Sequence, residues 1–159
     1  MAPDNLGKHK LTFSCRSPMA EAIFKHKIEQ KGYSSLFSRI DSFGTGAWHL
    51  GDPPDYRSVS TCNKHGVPVD HSAQQIDTKE FYDFDFIFAM DNMNLSLLRA
   101  MKPKNSKVKI YLFGEWKKDP NFSKIVLDPY DGDVDLFEHN FRQLSHFSDQ
   151  FLESLMSKL

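Results

Sequence analysis

Four consecutive residues, Cys15-Arg16-Ser17-Pro18, combine a thiol, a guanidinium, a hydroxyl and a helix-starting proline. The run Leu11-Thr12-Phe13 before them reads as a strand, and Met19-Ala20-Glu21-Ala22-Ile23-Phe24 after them as a helix. Pro18 suits the first helical position, where its fixed φ helps and its missing N–H is no loss. Ser17 before it has the side chain of an N-cap. A helix start offers unpaired N–H groups and the positive end of the dipole, and so attracts anions. Arg16 adds a planar, permanently charged fork matched to phosphate oxygens. Two readings follow: a phosphate cradle, or an ordinary strand-to-helix turn with a surface Arg and a buried Cys. Late in the chain, Asp128-Pro129-Tyr130 lies in a long irregular stretch. An Asp there could protonate a departing phenol, with Tyr130 flanking the ring. Read alone, Asp-Pro is also simply a turn.

The elements that must position these groups alternate strand and helix, which points to βαβ units and a parallel sheet. Strands are expected near Lys8–Phe13, Arg39–Phe43, Phe84–Met90 and Val108–Phe113. The first is weak for a central parallel strand, because only Leu11 and Phe13 are strongly apolar. Helices are expected over Pro18–Lys31 with Gly32 as stop, Pro54–His65 ended by Gly66, and Asn92–Met101. Thr78–Asp83 reads as a short helical turn and Val67–His71 as extended. Gly44–Gly51, with three glycines, reads as a loop. Gly114–Gly132 is long and irregular, and a loop of that length in a compact domain is functional or disordered. Asp133 is expected to cap a final helix reaching Lys158. Its apolar stripe would be Phe137, Phe141, Leu144, Phe147 or Ser148, Phe151 and Leu155.

The expectation is therefore one α/β domain over residues 1–159, with residues 1–7 expected to be flexible. It is a three-layer, flavodoxin-like half: four parallel strands in the order 2-1-3-4 with helices on both faces. Ligands of such sheets sit beyond the carboxyl ends of the strands, where the strand order reverses. Topology alone thus gathers the Cys15-Arg16 turn, Ser42 to Gly51, Asp91 and the Gly114–Gly132 loop.

Composition narrows the class. The chain has 159 residues, 40% apolar and 26% charged, with a net charge of −1, which suits one soluble domain and gives no footprint for nucleic acid. Two cysteines, Cys15 and Cys62, make no disulfide framework and no Cys-x-x-Cys metal motif. A reducing cytosol is the expected compartment. No signal peptide, apolar membrane span, metal site or cofactor motif is read.

The phosphate-seat motif also resembles a known one. Cys15-Arg16-Ser17-Pro18, Ile40-Asp-Ser-Phe-Gly-Thr-Gly-Ala-Trp48, Pro54-Asp-Tyr-Arg57, Ile87-Phe-Ala-Met-Asp91, Leu112-Phe-Gly114 and Asp128-Pro129-Tyr130 follow in order. They resemble the signatures of low-molecular-weight protein tyrosine phosphatases. The resemblance implies hydrolysis of phosphotyrosine or aryl phosphate monoesters through a cysteinyl-phosphate, by a monomer acting on phosphotyrosine proteins or small aryl phosphates. It implies Arg16 as phosphate clamp, Asp128 as general acid, and Trp48 and Tyr130 as walls of a deep aryl slot. It implies Ser17 as the hydroxyl holding the thiolate, and Ser42 and His71 as braces of the phosphate loop, with Asp91 alongside. Asp131 stands where a second aromatic is common.

One departure bears on catalysis. The family loop reads Cys-Leu-Gly-Asn-x-Cys-Arg-Ser-Pro, with its first Cys, six positions before the Arg, as nucleophile. Here Lys10 stands six positions before Arg16. With Leu11–Phe13 as the strand, about five loop residues are absent before Cys15. Cys15 is the remaining thiol, but adjacent residues on a turn cannot hold one phosphate from floor and rim together. Severely reduced turnover is expected. A non-catalytic phosphotyrosine binder stands as the alternative, as does a segment missing from the gene as assembled. A thiol-dependent arsenate reductase would need further cysteines after Cys62, and none follows.

Overall fold

The computed structural model describes residues 8–14, 18–44, 55–70, 74–127 and 134–158. Four parallel strands form one sheet in the order β2-β1-β3-β4, as expected. The strands are β1 (His9–Ser14), β2 (Phe37–Phe43), β3 (Phe86–Ala89) and β4 (Lys109–Leu112). The helices are α1 (Met19–Lys31), α2 (Tyr56–Lys64), α3 (Glu80–Asp83), α4 (Asn92–Met101) and α5 (Val134–Met156).

β1 is central despite its polar start. Lys8 and Lys10 are exposed where the strand enters the sheet, and the His9 ring lies between Phe37 and Phe86. The pairing is continuous from Leu11↔Ile40 to Ser14↔Phe43 on one side and from Leu11↔Phe86 to Ser14↔Ala89 on the other. Alternation then sorts the faces. Leu11, Phe13, Phe86 and Phe88 pack with α1 and α5, whereas Ile87, Ala89, Ile110 and Leu112 pack with Phe81, Phe84 and Leu98. On the first face Phe88 contacts Phe13, Phe113 and Phe151 at centroid distances of 5.6, 5.1 and 4.8 Å. Such pairs contribute roughly 0.5–1.5 kcal/mol each beyond area burial. The expected stripe on α5 is buried, with both Phe147 and Ser148 inward; the Ser148 hydroxyl donates to the Leu144 carbonyl at 2.8 Å.

Several boundaries shift. α1 begins at Met19, so Pro18 takes the cap position (φ −79°, ψ 5°) instead of the first helical one, while its carbonyl still accepts from the Ala22 N–H. Gly32, at φ 74°, stops the helix as expected, and Tyr33 N–H reaches back to the Ile28 carbonyl at 2.7 Å. β2 starts two residues earlier than expected, after a 3-10 turn over Ser34–Leu36. α2 starts at Tyr56, because Asp55 caps it through the Arg57 N–H. β3 and β4 are shorter than their apolar runs, and Phe113–Trp116 coils into a 3-10 turn. A Cβ on Gly114 would collide with the Lys124 backbone and the Phe147 ring, so this glycine lets the following loop fold back tightly. Among the described residues, no helix is long and apolar enough to cross a membrane. The expected Asp133 cap lies outside the described residues.

Candidate active site

The strand order reverses between β1 and β3, so their carboxyl ends define where a ligand should sit. β1 ends at Ser14 and α1 begins at Met19, leaving a connection of only Cys15, Arg16, Ser17 and Pro18. Beside it, Asp91 caps α4: its Oδ1 accepts from the Asn94 N–H at 2.7 Å. Asn94 Oδ1 in turn accepts from the Met90 N–H at 3.1 Å, and Asn94 Nδ2 donates to Ser14 Oγ at 3.0 Å. The start of α4 is thereby fastened to the last residue of β1.

Ser42, near the end of β2, is buried, and its hydroxyl donates to Glu21 Oε1 at 2.7 Å. Glu21 is itself buried in the first turn of α1, and its other oxygen meets Lys25 Nζ at 2.7 Å. A buried carboxylate is tolerated only when so partnered. Gly44, just beyond β2, pairs with the returning chain: its N–H donates to the Gln74 carbonyl and its carbonyl accepts from Ile76 N–H. Gln74 Nε2 donates to Asp41 Oδ1 at 2.7 Å.

The late loop is held from two sides. The Val126 N–H donates to the Met90 carbonyl at 2.9 Å, which lays the loop across the end of β3. From α5, buried Gln143 donates through Nε2 to the carbonyls of Ser123 and Ile125, both at 2.9 Å. Buried Asn140 donates through Nδ2 to the Leu127 carbonyl at 2.8 Å, one residue before Asp128.

Asp55 and Arg57 join the start of α2 to the start of α5. The guanidinium grips the carboxylate through Nε at 3.2 Å and a terminal nitrogen at 3.0 Å, and lies 4.6 Å over the Phe137 ring. The Arg57 guanidinium hydrogen-bonded to Asp55 holds its carboxyl below the ordinary value of 3.8. The pair therefore stabilises the fold fully above that pH and loses its contribution as pH falls through the lowered value. Asp55→Asn keeps a good cap but loses the ion pair. It is expected to cost roughly 1 kcal/mol at pH 7 in urea denaturation, with the gap to wild type closing below about pH 3.8. A gap that persists unchanged at pH 3 would count against the ionic account.

A family model described as "Low molecular weight phosphotyrosine protein phosphatase" matches residues 11–159. The chain belongs to that family. It is 48% identical over 140 residues to the low molecular weight phosphotyrosine protein phosphatase of Saccharomyces cerevisiae, covering 87% of each chain. To the human protein of the same name it is 39% identical over 141 residues, again covering 87% of each. A crystal structure of a protein tyrosine phosphatase from Entamoeba histolytica superposes with a TM-score of 0.88 at 30% identity, covering 96% of this chain and 100% of that one.

Within this phosphatase fold, the described residues place Ser42 and Asp91 at the expected end of the sheet, Ser42 beside Glu21 and Asp91 as a helix cap. Cys15, Arg16, Ser17, Trp48, His71, Asp128 and Tyr130 lie outside the described residues. Their flanks do not: Ser14, Gly44, Gln74, Asp55 and Leu127 each sit at or lead to the carboxyl ends of the strands or the α2–α5 junction. Cys62 is buried in α2, and desolvation pushes its thiol up to about 12. It stays protonated at neutral pH and is no nucleophile. Sequence reading missed Glu21, Asn94, Asn140 and Gln143. A usable signal existed for Asn140: it falls three residues after Phe137, on the apolar side of α5.

Proposed function

We propose that this chain recognises phosphotyrosine and aryl phosphate monoesters at the carboxyl ends of β1 and β3 and hydrolyses them through a cysteinyl-phosphate. The observation that carries the reading is the family match over residues 11–159, which takes in every loop at that end of the sheet. Arg16 would clamp the non-bridging phosphate oxygens. A cysteine thiolate would attack phosphorus as the bond to the phenol oxygen breaks, and Asp128 would give that oxygen its proton. Water would then attack the cysteinyl-phosphate, Asp128 would take back a proton, and phosphate would leave with the thiolate restored. Trp48 and Tyr130 would wall the ring, and Ser17, Ser42, His71 and Asp91 would support the seat. A reducing cytosol suits such a thiolate.

The four-residue connection between β1 and α1 favours a second reading for the chain as it stands. Pro18 has no N–H, so the connection offers only the three amides of Cys15, Arg16 and Ser17. Even with the N–H groups of the helix start on one side, these are too few to ring a phosphate and lower a thiol pKa from its reference of about 8.5. In this reading the chain binds phosphotyrosine with little turnover. Calorimetry with phosphotyrosine and turnover of p-nitrophenyl phosphate test both. Saturable binding weakened roughly 10–100-fold by Arg16→Ala is expected. Absence of any saturable binding would overturn the phosphate-site reading altogether.

A further inference from the structure

We propose that the outer face of α4 is a docking ridge for apolar residues flanking the phosphotyrosine of a protein substrate. The inference rests on the phosphotyrosine reading above and adds the substrate's sequence character. α4 buries Leu98 and part of Leu95 against the sheet. On its other side Met93, Leu97 and Met101 stand at i, i+4 and i+8, and they are 82%, 44% and 36% exposed. They form one continuous stripe, because residues four apart share a helix face. Of the six large apolar side chains exposed among the described residues, these are three. Half of the exposed large apolar side chains among the described residues thus lie on one helix face, the arrangement expected of a binding surface and not of scattered surface residues.

Continuity with the site fixes the occupant. Met93 precedes Asn94, whose side chain holds Ser14 at the end of β1, so the stripe begins at the rim where the phosphate motif starts. From Met93 to Met101 it runs about 12 Å down the helix. About four extended residues of a peptide span that distance. The only charged residue on α4 is Arg99, so the stripe offers no charge pattern for a polar flank. Methionine's flexible, polarizable side chain adapts to varied apolar partners.

The test uses the full chain and synthetic peptides carrying a non-hydrolysable difluorophosphonate in place of the phosphate, read by fluorescence anisotropy. A peptide with a Leu/Val flank is expected to bind roughly tenfold more tightly than one with a Ser/Gly flank. The double variant Met93→Gln, Leu97→Gln should erase that tenfold preference in a chain that remains folded by circular dichroism, because Gln is a good helix former and adds no charge at the rim. Affinity for the isolated phosphonate amino acid should stay the same. Tyr82→Ala, exposed at the other end of the sheet, should change nothing. Equal affinity for both flanks, or a preference that survives the double variant, overturns the ridge and leaves the phosphotyrosine reading standing. A flank preference that depends on Met93 and Leu97 but ignores the phosphonate supports the ridge and rejects the phosphotyrosine reading. A concentration-dependent dimer in sedimentation, abolished by the same variant, overturns the proposal in favour of a second copy of the chain.

Discussion

Inserting Cys-Leu-Gly-Asn between Phe13 and Ser14 is expected to raise turnover of p-nitrophenyl phosphate by on the order of 10⁶, the scale lost when a hydrolase loses its nucleophile. With Ser14 as the variable position, the insertion completes the pattern Cys-Leu-Gly-Asn-x-Cys-Arg-Ser-Pro and puts a thiol six positions before the arginine. The physical argument is about reach. β1 pairs with both neighbours as far as Ser14, and α1 starts at Met19, so four residues must carry floor, wall and rim together. The insertion doubles that connection to eight residues and adds four amides to the three present. The inserted Cys takes the strand-end place of Ser14, which moves into the loop and gives up its contact with Asn94, while Asp91 still caps α4 and Glu21 still holds Ser42. Steady-state kinetics on the purified variant decides it. No gain in a folded, phosphotyrosine-binding variant would refute the account. So would enzyme-like turnover in the unmodified chain. Sequencing the transcript across Phe13–Cys15 would separate a lost loop from an assembly gap.

In that completed chain, Asp128→Ala should lower phosphotyrosine turnover by about 10²–10⁴, the contribution typical of a positioned general acid. The loss should depend on the leaving group. Tyrosine's phenol, with a reference pKa of about 10, needs a proton as it departs. The more acidic p-nitrophenol needs it less, so its ester should lose less. The structure fixes the chain that leads to Asp128. The residue before it is tied by Asn140, and the chain two residues before it by Met90. Equal losses for both esters would argue that the substitution acts on folding or binding and not on proton transfer.

Much of the scaffold is legible in the sequence because it is written in periodic apolar residues. α4 lies at Asn92–Met101, where its pattern puts it, and the α5 stripe follows from the same kind of signal. β1 looks weak because Lys8 and Lys10 face solvent where the strand enters the sheet, while only Leu11 to Ser14 are buried. The sequence puts two helix starts a residue or two early, because the Pro18 carbonyl cap and the Asp55 carboxylate cap both depend on local geometry. The polar struts of the site leave little local trace. Glu21 with Ser42, Asn94 with Ser14, and Gln143 with Ser123 join positions 20 to 80 residues apart, and no spacing rule connects such pairs. The candidate catalytic residues Arg16 and Asp128 are legible from their chemistry as one of two open readings, and the family resemblance is what favours it over a plain turn.

Asn140 and Gln143 have a consequence for the order of events during synthesis. Their amides hook the carbonyls of residues 123, 125 and 127, yet they are translated after that segment. A nascent chain halted just past Tyr130 would already contain Asp128, and still lack the hooks that hold the stretch leading to it. That stretch is therefore fastened only when the closing helix emerges from the ribosome, so the late loop is among the last parts of the fold to be fixed in place.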